Sequence, residues 1–319
     1  MERFTAATDP GIDALNSLFA VDAVVDPAWG TASGGTYQTV TEAMGDGHRC
    51  IFIKSGDSAE DVTITASGTR LIGVSSTWAA AGSRVRSVTV ASGVEAVTLE
   101  NIIAVGATSH AFTFAGLNNF SRTVNCTAYN AVGNGFHIVP AQSGLIFDGC
   151  LGYGCAIGWN LASPPATEWV DGLSFVNCRA AYSDSDGFAI VTAGTGTSTL
   201  VSVKMIGCHS SFSAQQVSAS GFSLGPKVNA SLIGCQSTNN GAGGGITGIG
   251  FGSNTNGIYS HEYVGCIAKS NNNDGFRLTI ASAKVAIVGC HSVLNTTPYV
   301  NHGSCPGVVL GTYGTNGSG

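Results

Sequence analysis

Charge is scarce in this chain. Asp, Glu, Lys and Arg together make 10% of 319 residues, and the formal net charge is −6. Lys and Arg are scattered without a basic cluster, which argues against a nucleic-acid partner. No apolar run reaches the length of a membrane span, so membrane insertion is not expected. Met1 to Ala20 lacks a basic segment followed by an apolar one, so no signal peptide is expected and the chain should be made in a reducing cytoplasm. No Cys pair has zinc-like spacing near His, and no Asp cluster has calcium-site spacing; metal and cofactor are expected to be none. The low charge does not mean disorder, because 44% of residues are hydrophobic.

What is present is repetition. An apolar run, then Gly or Asn, then Cys recurs in Val124-Asn125-Cys126, Phe147-Asp148-Gly149-Cys150, Phe175-Val176-Asn177-Cys178, Met205-Ile206-Gly207-Cys208, Leu232-Ile233-Gly234-Cys235, Tyr263-Val264-Gly265-Cys266 and Ile287-Val288-Gly289-Cys290. Leu99-Glu100-Asn101-Ile102 is a first copy with Ile in the Cys place, and successive spacings are 24, 24, 28, 30, 27, 31 and 24 residues. A second phrase follows each Cys: Gly, a large apolar residue, any residue, an aliphatic one. It reads Gly135-Phe136-His137-Ile138, Gly158-Trp159-Asn160-Leu161, Gly187-Phe188-Ala189-Ile190, Gly221-Phe222-Ser223-Leu224, Gly275-Phe276-Arg277-Leu278 and Gly307-Val308-Val309-Leu310. Phe112-Thr113-Phe114 and Phe251-Gly252-Ser253 fill the slot less well.

A repeat of this length marks stacked units that share one core. The apolar runs are short and alternate with period two, which reads as strand. The links are rich in Gly, Asn and Ser and carry no helical pattern. The expected architecture is all-β: a single-domain solenoid of parallel strands, residues 21–310. Residues 1–20 form an N-terminal cap segment in which Ile12, Leu15, Leu18 and Phe19 give a short capping helix an apolar face. Residues 311–319 are a Gly-rich C-terminal tail. One Cys in the same slot of each coil reads as a column of small buried thiols. Cys150 and Cys155 could instead pair across a turn, and Cys50 and Cys305 have no assigned place.

These phrases resemble the right-handed parallel β-helix of the pectate-lyase-like superfamily. The opening, with Tyr37 to Ala43, Cys50 to Gly56, Glu60 to Ile64 and Leu71 to Gly73, is similar to that of pectin methylesterases. There a short helix precedes the first strands. The resemblance implies a fold shared by pectinolytic enzymes, epimerases, phage tailspikes and non-catalytic virion proteins. Of the polygalacturonase motifs only Asn273-Asp274-Gly275-Phe276 has a counterpart. The carboxylate set of pectin methylesterases and the Arg motif of pectate lyases have none.

Candidate site residues follow from clustering. Glu168, Asp171, Asp184 and Asp186 are the candidates for catalysis, since glycoside hydrolysis needs two carboxylates roughly 5–10 Å apart. Trp159, Trp169 and Tyr182 lie near them in sequence and suit a sugar ring. His137 and Asn160 occupy the variable, outward slot of the second phrase and complete the glycan-binding set. Asp186 before Gly187 also reads as an ordinary turn residue, Glu168 and Asp171 as surface-loop residues, and His137 and Asn160 as part of a scattered solvated face.

The outward side of the first phrase is apolar. If Phe147, Phe175, Met205, Leu232 and Ile287 point in, then Val176, Ile206, Ile233, Val264 and Val288 point out. A monomer should not expose such a stripe, so these five are the expected oligomer interface, with Lys204 and Glu262 flanking it and pairing between subunits. The expectation is a phage virion surface protein, tailspike-like or a decoration protein, made without a signal peptide. It would be structural or glycan-binding, and homotrimeric through the stripe. Its partners would be other virion proteins and a cell-surface polysaccharide. The alternative is a polysaccharide lyase or glycoside hydrolase.

Overall fold

The computed structural model describes residues 21–28, 35–75, 82–140, 142–162, 170–190, 201–215, 219–225, 228–241, 247–253, 260–278, 284–301, 309–310 and 313–315. The capping helix expected within residues 1–20 lies outside these. The described chain is a parallel β-solenoid with three walls, sheets of 14, 11 and 10 strands in which every pairing is parallel and successive coils are neighbours.

The first phrase builds the first wall. Leu99, Thr123, Phe147, Phe175, Met205, Leu232, Tyr263 and Ile287 follow one another in exact-register pairs, and all are buried. The Gly or Asn that follows is the corner to the second wall. Asn101, Asn125, Gly149, Asn177, Gly207, Gly234, Gly265 and Gly289 all have φ between 49 and 64°. Only Gly adopts this left-handed conformation without cost, and Asn tolerates it by local hydrogen bonding. The sequence alternates between these two residues because the corner admits little else.

Cys126 to Cys290 then point inward at the start of the second wall and are buried. Their backbone carbonyls accept from the next coil, as in Leu151 N to Cys126 O at 2.9 Å and His209 N to Cys178 O at 2.9 Å. The thiols donate to main-chain oxygens of the coil below, Cys266 Sγ to Leu232 O at 3.3 Å and Cys290 Sγ to Tyr263 O at 3.4 Å. None of the nine described cysteines forms a disulfide, Cys150 and Cys155 included. Burial pushes the Cys126, Cys155 and Cys178 thiols up, so they stay protonated.

The second phrase is the third wall. Phe112, Phe136, Trp159, Phe188, Phe222, Phe251 and Phe276 are in register. Their rings stack through the core with centroids 3.8 to 5.8 Å apart. The Gly before each ring from Phe136 onward lets two walls meet: a Cβ on Gly187 would lie 2.1 Å from Ser210 Oγ and 2.7 Å from Gly221 O. Ser210 and its neighbours Ala180, Ser237 and Ala268 are the small inward residues of the second wall.

Two expectations need correction at the C-terminus. Val309–Leu310 pairs with Ile287 and Val288 on the first wall, so it is not a copy of the second phrase. The last strand of the third wall is Thr297–Asn301, paired with Asp274–Leu278. Gly307 misleads because a Gly followed by apolar residues also fits a coil start. Within the region read as a tail, Tyr313–Thr315 pairs with His291–Val293 on the second wall. Near the other end, helix Val40–Gly45 forms where the methylesterase-like opening places one. Thr39 and Glu42 cap it reciprocally, and Glu60 accepts from the Val40 and Thr41 amides at 2.7 and 3.1 Å.

Candidate functional site

The outer face of the first wall changes character along the solenoid. In the early coils its strands are three or four residues long and carry ion pairs between neighbouring coils, Arg70 to Glu100 at 2.9 Å and Arg122 to Asp148 at 3.3 Å. From Val170 the strands lengthen to Val170–Val176, Val201–Ile206, Val228–Ile233, Ser260–Val264 and Lys284–Val288. A bulge between Val170 and Leu173, with Gly172 at φ 66°, opens the widened face.

Three outward columns cross this face. Ser202, Asn229 and Ser260 form the first, with Asn229 Oδ1 accepting from Ser260 N at 2.9 Å. Ser174, Lys204, Ser231, Glu262 and Ala286 form the second in unbroken register. Ser231 Oγ donates to Glu262 Oε2 at 3.3 Å. Val176, Ile206, Ile233, Val264 and Val288 form the third. A groove of about 600 Å³ runs over the first two columns, lined by Ser174, Ser202, Lys204, Asn229, Ser231 and Glu262 and edged by Ile233.

The groove offers hydroxyls, one amide, one ammonium and one carboxylate on a rigid ladder. That inventory suits hydrogen bonding to a polyhydroxylated ligand. It does not hold a carboxylate pair at hydrolytic spacing. Asp171 is exposed beside Gly172, three coils from Glu262, which is about 14 Å at about 4.8 Å per coil. Among the described residues no cluster of three or more His, Cys, Asp or Glu could hold a metal.

The sequence-derived acid and aromatic residues do not converge. Glu168 and Trp169 lie outside the described residues. Asp184 and Asp186 sit at the corner between the second and third walls, away from Asp171. Asp186 Oδ1 accepts from Ser220 N at 2.6 Å in the next coil, and burial pushes its carboxyl up to about 6. It serves as a rung between coils. Trp159 is fully buried within the ring column and its Nε1 donates to Arg179 O at 3.2 Å, so no sugar can reach it. Its large aromatic side chain fills the Phe slot.

His137 and Asn160 do face outward on the third wall, as the variable slot requires. His137 Nδ1 lies 3.1 Å from Asn134 Nδ2 and 3.3 Å from Asn160 Nδ2, and its ring stacks on His110 at 4.1 Å. Burial, and then His110, drives the His137 imidazole down to about 4. Tyr182 is 44% exposed at the corner after the second wall. It stacks on Phe212 at 5.0 Å and leans on Tyr153 at 5.2 Å.

The five apolar residues of the third column do lie on the outside. Ile233 and Val288 are each 37% exposed, and the bend comes one residue later, so it leaves their direction unchanged. Sequence reasoning placed Lys204 and Glu262 beside the stripe but missed the serines and Asn229. The signal was present in the longer alternation Val201-Ser202-Val203-Lys204-Met205 and Val228-Asn229-Ala230-Ser231-Leu232.

No family model matches the sequence, and no curated protein matches it. Among solved structures, pectate lyase Pel9A is similar at 14% identity and a TM-score of 0.57, covering 93% of this chain and 78% of that one. ORF18 of Geobacillus virus E2 is similar at 14% identity and a TM-score of 0.56, covering 97% of this chain; this chain spans 65% of that protein's length. No helix among the described residues is long and apolar enough to cross a membrane. At such identities the likeness shows shared architecture alone: this chain has the parallel β-helix fold.

Proposed function

We propose that the protein is a carbohydrate-binding β-helix of the phage-virion type, tailspike-like or decorating, which holds a cell-surface polysaccharide in the first-wall groove without cleaving it. The observation that carries this is the groove's inventory: five hydroxyl and amide side chains with a single ammonium and a single carboxylate, on a ladder fixed at the coil repeat. Successive sugar units meet repeating donors and acceptors there. The fold likeness to a viral protein supports the virion setting. Self-association through the apolar column belongs to the same reading.

The competing reading is a polysaccharide lyase or glycoside hydrolase, supported by the fold likeness to pectate lyase Pel9A. Binding to immobilised bacterial polysaccharides, with reducing ends and unsaturated sugars measured in the same samples, separates the two. Binding that falls about tenfold or more in Lys204→Ala or Asn229→Ala, with no product formed, is the expected result. Product formation abolished by Glu262→Gln would establish the enzyme instead. Binding untouched by all three substitutions would remove the groove from the account.

A further inference from the structure

The second and third outward columns of the first wall place two opposite charges about one coil. The apolar column runs Val176, Ile206, Ile233, Val264, Val288 and continues in register to Leu310. The column beside it runs Ile146, Ser174, Lys204, Ser231, Glu262, Ala286. Lys204 lies one coil before Ser231 and Glu262 one coil after. They are two coils apart, about 10 Å at the coil spacing, and neither has an ion-pair partner among the described residues.

We infer that this face is the contact between two copies of the chain, packed with their solenoid axes antiparallel about a two-fold axis that passes along the coil of Ser231 and Ile233. A two-fold axis along the strand direction keeps each column over its own counterpart and reverses the order of coils. Lys204 then faces Glu262 of the second copy, and Glu262 faces its Lys204, so one symmetric contact contains two opposite-charge pairs. In the apolar column Ile206 meets Val264, Val176 meets Val288, and Ile233 meets itself. Lys204 and Glu262, each one coil from Ser231, set the axis on that coil.

The three-fold packing expected from the sequence fits less well. With parallel axes each coil meets the same coil of its neighbours, which gathers Lys204 with Lys204 and Glu262 with Glu262. The earlier coils explain why the contact is confined to this half. Their outer charges are already satisfied in pairs within one chain, Arg70 with Glu100 and Arg122 with Asp148. On the outer face of the first wall, the described residues of those coils carry these paired charges in place of a continuous apolar column.

The footprint sets the strength. Five coils at about 4.8 Å and strands roughly 20 Å long give about 480 Å² of face per copy, roughly 60% of the ~800 Å² per partner in a standard interface. A concentration-dependent dimer follows. Lys204, Ser231 and Glu262 line the groove as well as this contact, so a second copy and a polysaccharide compete for the same face. The inference rests on the register of this face and not on glycan binding. A dimer that binds no polysaccharide would overturn the proposed function alone.

Crosslinking tests the axis. Ser231→Cys and Ser174→Cys are each made in a Cys50→Ser, Cys305→Ser background of the full chain and treated with a short bis-maleimide without denaturant at about 100 µM, because packed sheets about 10 Å apart lie beyond disulfide reach. Ser231→Cys should give a crosslinked dimer and Ser174→Cys should not, while Ser174→Cys mixed with Ala286→Cys should. Equal self-crosslinking at both positions would show parallel packing and overturn the two-fold. Sedimentation equilibrium tests the charges independently. Lys204→Glu and Glu262→Lys should each weaken the dimer about tenfold, and the double exchange should restore it. A wild-type protein that is monomeric at 100 µM, or a double exchange no tighter than either single one, would overturn the inference.

Discussion

Gly234→Asn and Gly234→Val should differ sharply in stability although neither new side chain touches anything at its first atom. Gly234 has φ 61°, and a Cβ built there meets no heavy atom within 4 Å. The cost of substitution is therefore backbone strain alone. An L-residue in the left-handed region costs about 1–2 kcal/mol, and Asn much less. Asn is already used at this corner in other coils, at Asn101, Asn125 and Asn177 with φ from 49 to 56°. We expect Gly234→Asn to stay within about 0.5 kcal/mol of wild type and Gly234→Val to lose about 2 kcal/mol, its branched Cβ being least tolerant of this conformation. Gly207→Asn provides the internal control. Its Cβ would lie 2.6 Å from Asn177 Oδ1 of the preceding coil, so it should cost about 1 kcal/mol more than Gly234→Asn, and Asn177→Gly should recover the difference. Urea unfolding followed by circular dichroism, with equal m-values checked, gives the midpoints. Equal losses for Asn and Val at residue 234 would refute the idea that conformation, not space, dictates this column.

Three further outcomes follow from buried groups. Cys208→Ala should cost no more than a few kcal/mol and leave polysaccharide binding intact, and thiol titration of the unfolded protein without reductant should find the nine described cysteines free. His261 is 1% exposed, and burial drives its imidazole down to about 4. The unfolded chain therefore takes up its proton first, and stability should fall by about 3 kcal/mol as pH drops from 6.5 to 4. His261→Asn should flatten that acid limb in pH-dependent urea titrations, and an unchanged limb would exclude His261 as its cause. Asp186 titrates the other way: its carboxyl is held up to about 6, so ionising it on the way from pH 4 to 6 weakens the fold. Asp186→Asn keeps an acceptor for Ser220 N and should raise stability at pH 7 by about 1 kcal/mol, whereas a loss of that size would mean that the charge itself is needed.

The fold was legible because its two phrases report different physical demands. Gly or Asn before Cys marks a corner with positive φ, and Gly before Phe marks two walls too close for a Cβ. Each demand recurs from coil to coil, with Ala111 before Phe112 an exception, so it appears in the sequence as period. The apolar stripe was legible for the same reason, since one column is one slot of the phrase. The proposed acid cluster was not a column. Asp171, Asp184 and Asp186 lie close in sequence, but a wall and a corner separate them in the coil. Trp159 illustrates the reverse error. Read beside Trp169 and Tyr182 it suggests a sugar platform, whereas its place after Gly158 puts it in the ring stack. The groove was hard to see because serines are frequent in every link, and only the lengthened strands distinguish Ser202, Ser231 and Ser260 from turn residues.

The hydrogen bonds between coils run along the solenoid axis, while the covalent chain runs around it. A pull on the two ends therefore loads one coil's rungs at a time instead of shearing a whole sheet. The end coil peels, releases its 24 to 31 residues, about 80–110 Å of chain at roughly 3.5 Å per residue, and passes the load to the next. Such a rod yields by regular increments of length. Each increment is set by the spacing of the cysteines, so the interval between thiols in the sequence is also the step by which the molecule lengthens under tension.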